Sequence, residues 1–120
     1  MTPQLEALAR RAIACKGWRW MPGTLPLSWD GEDWTAEERL TDHQPEGMRV
    51  SDKSVPDLTD PATLGCLLAL AREAWRDPKG SVYYLAPVET EPGWFAEFGA
   101  HDELYASEAE ALVAALEAAP

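Results

Sequence analysis

The chain has 120 residues and a formal net charge of −11, from 21 acidic side chains against 10 Lys and Arg. That length suffices for one hydrophobic core without disulfides, so a single domain over residues 1–120 is expected. The acidic balance argues against general nucleic-acid binding, which needs a broad basic footprint. No run of about 18 apolar residues suits a membrane span. The start Met-Thr-Pro-Gln-Leu-Glu has neither the basic nor the apolar region of a secretory signal, so a cytoplasmic location is expected.

The first helix is expected over residues 2–15, with Thr2 as cap, Pro3 in the first helical position, and Leu5, Leu8, Ala9, Ala12 and Ile13 as its buried stripe. Lys16-Gly17 should end it, Gly17 taking the left-handed conformation. Trp18-Arg19-Trp20-Met21 alternates and reads as a short strand before Pro22-Gly23. Residues 23–58 are punctuated by Pro26, Gly31, Pro45, Gly47 and Pro56. They read as a long irregular connection, with a helical turn near 35–40 and a short strand near 48–50.

Pro56 to Trp75, PDLTDPATLGCLLALAREAW, is the strongest helix signal. Asp60 caps, Pro61 opens, and Leu64, Leu67, Leu68, Ala71 and Trp75 fall on one face. Arg72, Glu73 and Arg76 fall away from that face, and Asp77-Pro78-Lys79-Gly80 stops the helix. Next come a β-rich run at 81–86, a turn at 89–93 and a returning strand at 94–98. A second turn at 99–103 precedes Leu104-Tyr105-Ala106. Ser107 with Glu110 at capping-box spacing opens a final Ala-rich helix to residue 118, with Ala109, Leu112, Val113 and Leu116 as its apolar face. A small antiparallel sheet needs helices to bury it, so the expected fold is α+β, three helices layered with the sheet in an α/β/α sandwich-like arrangement.

Three segments, LARRAIACKGW, PDLTDPATLGCLLALAREAW and YASEAEALVAALEAA, placed around a Trp-containing hairpin, resemble the phage ABA sandwich domain family of small proteins from tailed phages and prophages. The likeness covers residues 5–20 and 56–118 and rests on core residues. It implies a sheet sandwiched by helices, a phage origin and hence the host bacterial cytoplasm. It carries over no catalytic residue.

Reactive motifs are scarce. His43 and His101 lack a metal-ligand companion at helical spacing, and His101-Asp102-Glu103 in a turn is expected to be solvated. Cys15 and Cys66 fit buried free thiols rather than a disulfide framework. No nucleophile elbow, phosphate loop or dinucleotide fingerprint occurs. Neither catalysis nor a cofactor or metal is expected.

Binding features are more numerous. In Ser28-Trp29-Asp30-Gly31-Glu32-Asp33-Trp34, the indoles either fold back on the core or stand out as anchors for a partner. Arg19 lies between Trp18 and Trp20. Either it is solvated opposite a packed Trp face, or it joins Arg10, Arg11 or Lys16 in holding an anionic ligand beside an aromatic ring. After Lys79 there is no Lys or Arg, while eight acids accumulate, among them Glu89, Glu91, Asp102 and Glu103. Such a face suits solubility and attraction to a basic protein.

The leading expectation is a non-enzymatic phage accessory protein that binds a host protein through an acidic surface, as an inhibitor of antiviral defence. An alternative from another class is a sequestering protein for a small anionic ligand, a nucleotide signal. A third is a structural or morphogenetic phage component. Self-association into a homo-oligomer belongs to the same set of expectations.

Overall fold

The computed structural model describes residues 1–42, 50–86 and 91–120. In chain order its elements are α1 (Pro3–Ala14), β1 (Pro26–Trp29), β2 (Trp34–Ala36), β3 (Val55–Pro56), α2 (Pro61–Trp75), β4 (Ser81–Leu85), β5 (Gly93–Phe98), β6 (His101–Tyr105) and α3 (Glu108–Ala118). The strands form two antiparallel sheets, ordered β2-β1-β3 and β4-β5-β6. The α+β class therefore holds.

Each helix starts where a short polar side chain meets an orphan N–H of the first turn. Thr2 Oγ1 accepts from Leu5 N–H at 3.1 Å, Asp60 Oδ2 from Thr63 N–H at 2.9 Å and Ser107 Oγ from Glu110 N–H at 3.1 Å. Pro3 and Pro61 open α1 and α2 as expected. The end of α1 differs. Cys15 turns to extended backbone and ends the helix, and Gly17 has no positive φ. Gly17 sits in close quarters instead: a Cβ there would stand 3.0 Å from Leu116 Cδ1 and 3.3 Å from Ala74 Cβ, where the segment after α1 meets α2 and α3.

The strand expected over 18–21 is not formed. Alternation supplies a strand's side-chain pattern but no ladder partner, and here none comes alongside. The Met21 carbonyl accepts instead from Thr24 N–H, around Gly23 with φ of 100°. The sheet that was missed lies inside the 23–58 connection. Asp30 Oδ1 accepts from the N–H groups of Glu32 and Asp33, both at 2.8 Å, and Gly31 takes φ of 105°. This turn folds β1 onto β2, pairing Trp29 with Trp34. β3 then pairs on the other side, Leu27 with Val55. Thr35 and Ala36 belong to β2 rather than to a helical turn; Val50 is outside any strand, and residues 48 and 49 lie outside the described residues.

α2 buries Thr63, Cys66, Leu67, Leu70 and Ala71, while Leu64, Leu68 and Trp75 are half-buried. The buried face is rotated from the expected stripe because the segment before β1 also docks on it. Cys66 Sγ donates to the Pro22 carbonyl, and Thr63 Oγ1 accepts from Leu25 N–H at 3.0 Å. Arg72, expected outside, turns back so that Nε donates to the Gly80 carbonyl at 2.7 Å.

α3 is the centre of the packing, against α1, α2 and all three strands of β4-β5-β6. Its buried residues go beyond the expected stripe: Ala111 and Ala115 join Ala109, Leu112, Val113 and Leu116. Alanine lets neighbours approach on several sides at once. Trp75 Nε1 donates to the Ala115 carbonyl at 2.7 Å across that contact. Because α2 and α3 meet the sheet from the side of Ala96 and Phe98, which are fully buried, the layering is helices on one face of this sheet.

Candidate binding surfaces

Period-two alternation divides the β4-β5-β6 sheet into two chemically different faces. The inner face carries Val82, Trp94, Ala96 and Phe98 toward the helices. The register sets Tyr83, Phe95 and Leu104 in one row across all three strands of the outer face. Tyr83 is 38% and Leu104 44% exposed, Phe95 is half-buried, and the Tyr83 and Phe95 rings lie 5.5 Å apart. No helix covers this row among the described residues.

The adjacent outer row is Ser81, Glu97 and Asp102. Glu97 and Asp102 are direct cross-strand partners, both exposed. Like charges in that position destabilise a sheet, by roughly 0.2–1 kcal/mol. The Tyr83 hydroxyl donates to Glu97 Oε2 at 3.1 Å, tying the aromatic row to the acidic one. Partial burial and that bond to a carboxylate push the Tyr83 phenol above its ordinary value. An apolar row thus lies beside two exposed carboxylates that share one cross-strand position.

The acidic residues singled out from sequence divide between several places. Asp102 is on the outer face. Glu103 is on β6 with the opposite orientation, accepting from the Tyr105 hydroxyl at 2.8 Å. Burial, then the bond to Glu103, raises Tyr105 to about 12. Glu91 is exposed just before β5, and Glu89 lies outside the described residues. His101, Asp102 and Glu103, expected in a turn, are part of β6. His101 Nε2 lies 2.9 Å from the Tyr105 hydroxyl. Among the described residues no group of three His, Cys, Asp or Glu is placed to hold a metal ion. Burial pushes the Cys15 thiol up, and Cys66 is buried.

Trp29 and Trp34 face each other across the β1–β2 hairpin, 5.7 Å apart and edge to face. Trp34 packs partly against the core, whereas Trp29 is 53% exposed. They flank an open cavity of about 370 Å³ with Glu6, Arg10, Asp52 and Lys53. Two acids and two bases line it, so its charge selects no sign of ligand.

Trp18 and Trp20 also meet edge to face, at 5.3 Å, and Trp18 packs on the core. Arg11 and Lys16 line one open cavity with Glu117, but the three arginines of the N-terminal segment are not gathered. Arg10 pairs with Glu6 at 2.9 Å, Arg11 with Glu117 at 2.6 Å and Arg19 with Glu73 at 2.6 Å. Each guanidinium engages a different carboxylate.

Tyr83, Phe95, Glu97 and Leu104 were not singled out from sequence. Phe95 and Glu97 are the odd-numbered positions of the Trp94–Phe98 alternation, which shows a second face but not whether anything covers it; Tyr83 and Leu104 join them only through the register. No helix of the described residues is long and apolar enough to cross a membrane. Compared with protein-family models, with curated proteins and with solved structures, the chain matches none.

Proposed function

We propose that this chain is a non-enzymatic binding protein that docks on a basic protein through the outer face of β4-β5-β6. The observation that carries the reading is the juxtaposition of the exposed Tyr83–Phe95–Leu104 row with Glu97 and Asp102. Aromatic side chains supply rigid contact area at interfaces. A Lys or Arg from a partner would relieve the Glu97–Asp102 repulsion and bring a positive field to a chain of net charge −11. The resemblance to phage ABA sandwich proteins makes the partner a host bacterial protein, met in the host cytoplasm, and blunting of an antiviral defence the corresponding role.

The test uses a partner retained from bacterial lysate on the immobilised chain and then purified. Its on-rate should fall as salt rises, because the Debye length shortens to about 8 Å at 0.15 M. It should fall again when Glu91, Glu97 and Asp102 are changed together to Gln and Asn. An on-rate unchanged by those substitutions overturns docking through this face.

A second reading, sequestration of a small ligand, draws support from the open cavity of about 370 Å³ flanked by the Trp29 and Trp34 rings. A nucleotide released on denaturing the purified chain would favour it over the docking reading.

A further inference from the structure

Among the described residues four strands form the borders of the two sheets, and three are protected against pairing with another chain. β2 is three residues long and lies between Asp33 and Glu37. β3 is two residues long, buried, and contains Pro56. β6 carries Asp102 and Glu103. Short length, proline and charge are the devices that blunt an edge. β4 has none of them. Its five residues, Ser-Val-Tyr-Tyr-Leu, include no charge and no proline. They pair with β5 along one side only among the described residues. Tyr83 and Tyr84 are exposed on its two faces, Tyr84 by 56%. A border strand that is neutral, β-prone and unpaired leaves main-chain N–H and C=O groups free to bond a further strand.

We infer that β4 accepts an extended, basic segment of the partner as a fourth strand of the β4-β5-β6 sheet. This rests on the docking reading above and specifies its mode. Charge decides the occupant. A second copy would bring another −11 charge to the same border, and the 41 residues after Lys79 hold acids but no Lys or Arg. A strand alternating Lys or Arg with apolar residues would lay its cations on the outer face, over the Tyr83 ring and toward Glu97. Its apolar residues would fall on the inner side, beside Tyr84 and Trp94, whose rings meet at 5.6 Å.

The probe is a short synthetic peptide alternating lysine with valine, added to the full chain and followed by amide hydrogen exchange. The amides of 81–85 should slow about tenfold or more as main-chain bonds form, while those of 101–105 stay unchanged. Methylating the peptide's backbone amides along both edges, with side chains intact, should weaken binding at least about tenfold. Three results overturn strand addition: no protection of 81–85, equal binding of the methylated peptide, or a dimer of the chain alone that already protects 81–85. The last would assign the border to a second copy. If the peptide binds without protecting 81–85 yet loses affinity with Glu97→Gln and Asp102→Asn, face docking stands and strand addition fails. If 81–85 is protected but binding ignores those substitutions, the electrostatic reading fails instead.

Discussion

Replacing Asp60 should cost more than the loss of an ordinary helix cap, because the structure makes it a hub. Its carboxylate accepts from Thr63 N–H and the Thr63 hydroxyl, both at 2.9 Å, and from Arg39 at 2.6 and 2.9 Å. Thr63 is fully buried and passes the contact to Leu25 N–H, while Arg39 also donates to the Gly23 carbonyl. The start of α2 is thereby tied to both ends of the β1–β2 hairpin. In Asp60→Ala the cap is worth about 1 kcal/mol. The buried Thr63 hydroxyl, left without its acceptor, costs about 1–2 kcal/mol. The Arg39 pair is screened by solvent and adds little, since Arg39 is 42% exposed. The expected loss is about 2–3 kcal/mol. Asp60→Asn keeps an acceptor for the cap and should lose only about 1–2 kcal/mol.

The bonds from Arg39 first, then those from Thr63, lower the Asp60 carboxyl from 3.8 to about 2. A carboxyl lowered in the folded state contributes stability fully above its unfolded value and loses it as pH falls through the folded one. Wild-type stability should therefore decline between about pH 4 and pH 2 with a component that Asp60→Asn lacks. Urea unfolding followed by Trp emission measures all of this. A loss under about 1 kcal/mol for Asp60→Ala, or identical acid profiles for wild type and Asp60→Asn, would refute the hub.

Gly80→Ala should destabilise by about 1–3 kcal/mol, because its Cβ would fall 2.3 Å from Cδ1 of the fully buried Phe98 ring; an unchanged urea midpoint would mean that the ring moves freely. Trp75→Phe removes the donor to the Ala115 carbonyl and should cost about 1–3 kcal/mol by the same assay, more than a loss of surface area alone would give. Glu97→Gln with Asp102→Asn should raise thermal stability by about 0.2–1 kcal/mol through relief of cross-strand repulsion, while lowering the on-rate for the partner. A stability decrease in that double variant would show that the two carboxylates do not oppose each other as the register implies.

The three helices were legible because their determinants are local. Thr2, Asp60 and Ser107 each stand just before an apolar stripe, and a side-chain oxygen three residues from a free N–H needs no tertiary help. The β4–β5 hairpin was legible for a related reason, two β-rich runs separated by a turn. The 18–21 strand failed because its Trp-Arg-Trp alternation was read without a partner for its backbone. The β1–β2–β3 sheet escaped because its strands are two to four residues long, too short for periodicity to register, and β1 and β3 contain proline.

The candidate surface was half visible. Sequence alone determined that the last third is acidic, that residues 94–98 alternate, and that residues 81–85 carry no charge. It could not place Glu97 opposite Asp102, because cross-strand register depends on where the 99–100 turn closes. Nor could it show which face of the sheet stays open. That was decided by α3, whose small Ala111 and Ala115 let it bury against α1, α2 and the sheet together. Among the described residues the helical cover is thus drawn to one side, leaving Tyr83, Phe95 and Leu104 uncovered by any helix on the other.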